Sequence, residues 1–114
     1  MRIMTVTAKN IVPAKIVENV QTTQYIATGV TTIIDKFTAT NFGAVAASLS
    51  VNLVTNADTP GNQNLITKVR TLQPSETYTF PELVGQILNP NGFISTLASA
   101  ATTLNMRVSG REIT

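Results

Sequence analysis

Ten consecutive residues, Val45 to Val54, alternate between apolar and small polar side chains, and this pattern constrains the fold more than any other feature. The apolar set is Val45, Ala47, Leu49, Val51 and Leu53. A period of two predicts a β-strand with one buried face and one exposed face. Strands of this kind bury their apolar faces against one another, so the pattern favours sheets packed in layers.

Composition extends this prediction to the rest of the chain. Threonine occurs 19 times and asparagine 10 times among the 114 residues. Threonine favours strands because its branched Cβ fits a pleated surface, and asparagine favours turns because it tolerates positive φ. Strand-like stretches recur at a spacing of roughly 8–12 residues. The sequence therefore predicts an all-β, two-sheet antiparallel sandwich of about eight strands, either jelly-roll or immunoglobulin-like.

The alternation also assigns the residues of a second strand to its two faces. Between Val30 and Asn41 the pattern places Ile33, Phe37 and Ala39 on one side and Ile34 on the other. Asp35 then falls on the apolar side, which indicates a bulge near the start of this strand.

Three later stretches are also predicted to be extended. Leu83 to Leu88 reads as a strand rather than a short helix, because Gly85 and flanking prolines disfavour a helix. Phe93 to Ala98 and Thr102 to Val108 are expected to pair as a hairpin.

The first 24 residues are less regular than the rest. Their apolar residues follow no clean period, and Pro13 is incompatible with a regular central strand or helix interior. We interpret residues 1–24 as an extended N-terminal arm that packs on its own domain or on a neighbour. Residues 25–114 are predicted to form a single sandwich domain.

The residue types that carry most enzyme chemistry are missing. The chain has no histidine and no cysteine, and its six acidic residues stand singly. General acid–base catalysis and zinc binding mostly use histidine, cysteine or clustered carboxylates, and the sequence contains no glycine-rich phosphate loop. We therefore expect a protein that is not an enzyme and that has no catalytic residue, metal site or cofactor.

Charge is sparse and evenly spread. Lysine and arginine total 8, aspartate and glutamate total 6, and charged residues make up 12% of the chain, about half the usual share. Nucleic-acid binders show clustered basic residues, and a membrane helix needs roughly 18 consecutive apolar residues. Neither occurs, so we expect no nucleic acid and no membrane as partner. A surface with few charges loses little hydration on association, which favours contacts with other proteins.

Two parts of the chain are candidates for such contacts. One is the apolar arm, and the other is the strand that carries Lys68 and Arg70, although an ordinary solvated strand face is the favoured explanation of these two cations. The predicted partner-contact residues are Arg2, Ile3, Ile11, Val12, Ile16, Val17, Lys68 and Arg70.

Several stretches between residues 22 and 114 carry a resemblance to a known family. They are Tyr25-Ile26-Ala27, Thr32 to Asn41, Ser50 to Val54, Leu72 to Tyr78, Asn91 to Ser95 and Val108-Ser109-Gly110. In these strand and turn sequences the chain resembles small structural proteins of tailed bacteriophage virions. Where that family's turn tends to have glycine after proline, this chain has Ser75.

The resemblance implies a function on a virus particle. It implies a jelly-roll or immunoglobulin-like capsid decoration (cement) protein that is assembled in the bacterial host cytoplasm and resides on the virion. Such proteins bind the outside of the shell and bridge major capsid subunits, and we expect a dimer or trimer there. A neck, tail or fibre component is the main alternative, and a β-sandwich module that binds a host-surface glycan or receptor is a second one.

Overall fold

The computed structural model describes residues 4–114 and contains nine β-strands and no α-helix in that range. The strands are β1 Val6–Ile16, β2 Thr22–Ile26, β3 Thr31–Asn41, β4 Ala47–Val54, β5 Leu65–Leu72, β6 Thr77–Tyr78, β7 Ile87–Leu88, β8 Phe93–Ala98 and β9 Leu104–Ile113. One short 3-10 turn, Asn62–Asn64, precedes β5. The all-β prediction is confirmed.

The strands form two antiparallel sheets that pack face to face as a sandwich. The five-stranded sheet has the order β1-β9-β3-β6, with β7 also paired to β3, and the four-stranded sheet has the order β2-β8-β4-β5. The first half of the chain thus pairs with the second half in reverse: β1 with β9, β2 with β8, β3 with β6 and β7, and β4 with β5. A double-stranded ribbon rolled in this way is a jelly roll, one of the two sandwich types that the sequence left open.

The core lies between the two sheets and is supplied by alternate residues of the long strands. In β4, Ala47, Leu49 and Val51 are buried as the period-two pattern predicts. The prediction was wrong at both ends: Val45 precedes the strand and is 72% exposed, and after Val51 the alternation breaks, so that Asn52 and Val54 are buried and Leu53 is only partly buried. In β9 of the other sheet, the alternate residues Leu104, Met106 and Val108 are buried. Phe37 of β3 packs on Phe80 with 4.9 Å between the ring centroids.

A bulge in β3 reverses the faces predicted for its first half. The register of β3 against β9 shifts between Ile34 and Lys36, which confirms the bulge expected at Asp35. One extra residue changes which side chains point inward. Ile34 is therefore fully buried beside Phe37, and Ile33 points out of the sandwich, so the predicted placement of these two isoleucines was wrong.

Two connections also differ from the prediction. Phe93–Ala98 and Leu104–Ile113 do not form a hairpin, because β8 belongs to the four-stranded sheet and β9 to the five-stranded sheet. The segment between them crosses from one sheet to the other. Within the stretch 83–88, only Ile87–Leu88 is a strand, and the residues before it form a turn.

The N-terminal segment packs on its own domain, one of the two possibilities left open for it. β1 runs antiparallel along β9 at the edge of the five-stranded sheet, and β2 pairs with β8 in the other sheet. Ile11, Val12 and Val17 belong to the core cluster. Pro13 lies in this edge strand, where its missing N–H costs no central ladder bond.

Two buried asparagines hold the loops at the ends of the strands. The Asn41 side-chain amide donates to the backbone oxygens of Val45 and Leu72, at 2.9 and 3.0 Å. Asn52 donates likewise to the backbone oxygen of Gly61 and to the side-chain oxygen of Asn64, at 3.0 and 2.8 Å. Buried amides are tolerated because these bonds replace those lost to water.

Several turn residues adopt left-handed backbone conformations. Ser75 has φ 67°, so it takes the conformation that glycine favours at the point where the resembled family tends to have glycine. Asn91, in the Asn-Pro-Asn-Gly turn of residues 89–92, also has φ 67°. Asparagine adopts this region more easily than serine does.

Gly110 of β9 allows the neighbouring strands β1 and β3 of the five-stranded sheet to approach closely. A Cβ at this position would lie 2.2 Å from the backbone oxygen of Ile33 and 2.3 Å from the side chain of Ile11. A backbone oxygen held in a ladder cannot move aside as a flexible side chain can. Overpacking of this kind destabilises a fold by about 1–3 kcal/mol or more.

We predict that Gly110→Ala lowers the free energy of unfolding by about 3 kcal/mol, at the upper end of that range. Gly61→Ala is the matched control, because the added methyl would meet only the end of the Gln63 side chain, which can rotate away. Chemical denaturation of both variants measures the difference. Equal stability of the two variants would contradict the close approach at Gly110.

Candidate functional site

The acidic residues are engaged one at a time rather than gathered at a common centre. Ion pairs join Lys9 to Glu112 at 3.2 Å, Lys15 to Glu18 at 2.8 Å, Arg111 to Asp35 at 2.9 Å and Arg70 to Glu76 at 4.0 Å. Among residues 4–114, no group of three or more acidic side chains is placed to share a metal ion.

The hydroxyl of Tyr25 joins the two sheets at one open side of the sandwich. Tyr25 lies on β2 of the four-stranded sheet, and its hydroxyl contacts Glu112 of β9 and Thr32 of β3, in the five-stranded sheet. Burial, followed by the bond to Glu112 and the charge of that carboxylate, raises the pKa of Tyr25 to about 12. The Tyr25 bond, outweighing burial and assisted by Lys9, lowers the pKa of Glu112.

The hydroxyl of Tyr78 forms a similar contact at the opposite side. Tyr78 of β6 donates to Glu82 at 3.0 Å, and Thr67 of β5 in the other sheet donates to the same carboxylate at 2.6 Å. Arg70 of β5 stacks over the Tyr78 ring, 3.9 Å from its centroid. Burial alone would raise the pKa of Glu82, but bonds from Thr67, the backbone and Tyr78, with the charge of Arg70, outweigh it and lower the pKa.

The outer face of the five-stranded sheet carries a cluster of apolar side chains at one end. Cross-strand pairing aligns Ile87 with Ile33 and Val6 with Ile113, and directly opposed residues share a face. Ile87 is 56% and Val6 57% exposed, and Ile33 and Ile113 are partly exposed. We call these four residues the outer strip. Contiguous exposed apolar residues of this kind mark interaction sites on soluble proteins.

Arg111, which lies beside the outer strip, is neutralised by a neighbour on the same sheet. Arg111 opposes Ile33, and its guanidinium donates to both carboxylate oxygens of Asp35 at 2.9–3.2 Å. This bond, together with the charge of Asp35, raises the pKa of Arg111. The strip thus presents apolar side chains around a balanced ion pair, and interface cores have this composition, since arginine is enriched there and lysine is depleted.

The structure separates the predicted contact residues. Ile11, Val12 and Val17 have their side chains in the core, and Ile16 is exposed at the end of β1. Lys68 is exposed on β5, whereas Arg70 is turned onto Tyr78. Arg2 and Ile3 lie outside the described residues. Whether any of these residues touches a partner stays a prediction.

The outer strip was not visible as a unit in the sequence. Its four members come from β1, β3, β7 and β9, and the bulge in β3 is what turns Ile33 outward. The sequence held one usable signal, since Asp35 interrupts the apolar side of its strand. A bulge at Asp35 reverses the alternation of inward and outward residues before it, and this reasoning would have placed Ile33 on the exposed face. It would not have identified the other members of the outer strip.

Comparison with protein-family models, with curated proteins and with solved structures found no match to this chain. In residues 4–114, no helix has the length and apolarity needed to cross a membrane.

The contact at Glu82 makes stability depend on pH. Glu82 has a lowered pKa in the folded chain, so its contribution is present above the ordinary glutamate pKa of about 4.3 and is lost as pH falls through the folded value. We predict that Glu82→Gln lowers the free energy of unfolding at pH 7 by about 1 kcal/mol or less, because the carboxylate is partly open to solvent.

Denaturation of both proteins between pH 7 and 3 tests this prediction. The variant should lose less stability than the original chain on acidification, and Tyr78→Phe, which keeps the ring and removes one donor to Glu82, should fall between them. An unchanged acid dependence in Glu82→Gln would show that the Glu82 contact contributes nothing.

Proposed function

We propose that the chain is a structural virion protein of a tailed bacteriophage, namely a capsid decoration protein that binds the outer capsid surface and bridges major capsid subunits. The observation that carries the proposal is the outer strip: an apolar surface on a chain whose charges are few and largely paired. Such a surface favours lasting contact with another protein over the binding of a charged ligand.

The shape of the domain suits a bridging role. Its principal extents are 55 × 26 × 20 Å, so one long side can touch two neighbouring subunits of a shell. A standard protein interface covers about 800 Å² of one partner, which is roughly an eighth of the 6128 Å² surface. The outer strip lies on the outer face of the five-stranded sheet, which would supply such an interface.

The resemblance of residues 22–114 to small phage structural proteins supports the same proposal. The strand-and-turn stretches that carry it, including Thr32 to Asn41 and Leu72 to Tyr78, build β3, the end of β5 and β6. These are scaffold elements, so the resemblance bears on the type of protein rather than on the contact residues.

We predict that Ile87→Asp weakens binding to shells that lack the protein by about tenfold or more, since a charge buried in an apolar contact costs over roughly 1.4 kcal/mol. Ile87 is an exposed residue of a two-residue strand, so the variant should keep its fold. Val45→Asp is the matched control, because Val45 is also an exposed apolar residue but follows the opposite end of β3. Co-sedimentation with purified shells gives both affinities.

Copy number on native particles tests the assignment itself. A decoration protein should be present in proportion to the major capsid protein, and it should raise the melting temperature of the shell because it binds only the assembled state. A few copies per particle would instead place the chain at the neck or tail. Equal losses in Ile87→Asp and Val45→Asp would remove the outer strip from the contact.

A further inference from the structure

The sandwich has four open sheet edges, and three of them are protected against pairing with another chain. β2 has a bulge between Thr23 and Tyr25. β5 has two irregularities in its pairing, a left-handed Val69 and exposed Lys68. The third edge consists of β6 and β7, with two residues each. Bulges, charges and short strands are the devices by which natural proteins protect edges.

The fourth edge, β1, is protected over only half of its length. Its second half contains Pro13 and two register shifts between Lys9 and Lys15. Its first half, Val6 to Lys9, pairs with β9 in unbroken register, and Thr5 continues that register by accepting a bond from the N–H of Thr114 at 3.0 Å. Within residues 4–114, no strand covers the outer side of β1.

The direction of the backbone groups follows from the Thr5–Thr114 bond. Hydrogen-bonded pairs in an antiparallel ladder recur every second residue, so Thr5, Thr7 and Lys9 direct their N–H and C=O groups to β9. Val6 and Ala8 therefore direct theirs away from the sheet. These are the groups that an added strand would use.

The lysine on this half-strand does not protect the edge. Lys9 is bonded to Glu112 at 3.2 Å and lies over the Tyr25 ring, 5.9 Å from its centroid. Its charge is therefore balanced and turned back onto its own domain. Two such edges can approach without bringing unpaired like charges together, which is the usual obstacle to edge pairing.

We infer that the occupant of this edge is a second copy of the chain, whose β1 pairs antiparallel with the first about a two-fold axis through Thr7. The regular stretch Thr5–Lys9 has Thr7 at its midpoint, so this register pairs the whole stretch with itself. Val6 of each copy exchanges both backbone bonds with Ala8 of the other. A register centred on Val6 or on Ala8 would extend beyond this regular stretch. The register centred on Ala8 would extend into the bulge after Lys9.

Side chains also fit this register. The two Thr7 residues face each other in a non-hydrogen-bonded pair, and threonine pairs are favourable there. Lys9 faces Thr5 of the second copy, so no like charges are opposed. On the outer face, exposed Val6 meets Ala8 of the second copy, and exposed Met4 meets its Asn10. The two outer strips become neighbours.

The resulting dimer is weak in dilute solution. Five paired residues bury far less than the roughly 1,200 Å² of total surface that a stable interface needs. Pairing therefore depends on a high local concentration, as on a surface that holds many copies. The inference does not depend on the proposed function, because two chains pair at β1 whether or not a shell is present.

A single cysteine reports the contact directly, because the chain has none of its own. Opposed residues of a non-hydrogen-bonded antiparallel pair lie about 4.5 Å apart at Cα, within the range that a disulfide spans. We expect Thr7→Cys at high protein concentration to form a covalent dimer on addition of diamide, at least about tenfold faster than Thr23→Cys. Thr23 is the matched control, because it is an exposed threonine on the bulged edge strand β2.

Two more variants test the register and the backbone bonds. Thr5→Cys should cross-link at the slow rate of the control, because residue 5 faces Lys9 of the second copy. Adding Ala8→Pro to Thr7→Cys should reduce the fast rate to the control rate, since proline removes an N–H that faces away from β9 and so leaves the intramolecular ladder intact.

The comparison of Thr7→Cys with Thr23→Cys decides the inference without the proline variant, whose fold is checked by its thermal melting curve. Equal rates at positions 7 and 23 would overturn β1 pairing. A faster rate at position 5 than at position 7 would overturn the Thr7 register. Neither of these overturning outcomes would contradict shell binding through the outer strip, because shell binding is measured separately.

Discussion

Each long strand of this chain can bury only one of its two faces, and the rest of the structure depends on that constraint. Apolar residues alternate with serine and asparagine in β4 and with asparagine, arginine and serine in the first part of β9, so each strand has to cover its apolar side with a second sheet. The rolled ribbon meets this demand by sending β1 to β4 alternately to the two sheets and by returning β8 and β9 to opposite sheets. A sandwich built this way stays open along two sides, and the only two tyrosines of the chain lie there, each with its hydroxyl on a carboxylate.

Pairing of charged side chains within the domain is a second general feature of the structure. Lys9, Lys15, Arg70 and Arg111 are each paired with a carboxylate on their own domain. Surface ion pairs of this kind contribute little to stability. Their larger effect here is on the surface that remains, because pairing removes net charge from the outer strip and from the edge of β1. Both surfaces are thereby suited to protein contact, where unpaired charge would cost desolvation.

The sequence predicts the local features of the fold and misses the long-range ones. The strand at Ala47–Val51, the bulge at Asp35 and the buried face of β9 follow from side-chain alternation, which neighbouring residues determine. The pairing of β9 with β1 and β3 joins residues up to about a hundred positions apart, and no local pattern encodes it. The outer strip could not be predicted for the same reason. A single bulge reverses the exposure of Ile33, and pairing between strands that are far apart in the sequence brings Ile87 and Val6 to one face.

The two surfaces gain from acting together. Pairing about Thr7 would place two outer strips side by side, so a dimer could meet a shell at two points while each strip binds weakly. Linking two weak contacts raises the overall affinity well beyond either one, provided that both can engage at once. The 55 Å length of each copy helps to satisfy this condition, since the paired edges lie beside the strips rather than at a distant end. Under the proposed function, dimer formation and shell binding would therefore reinforce each other, and neither would need to be strong in free solution.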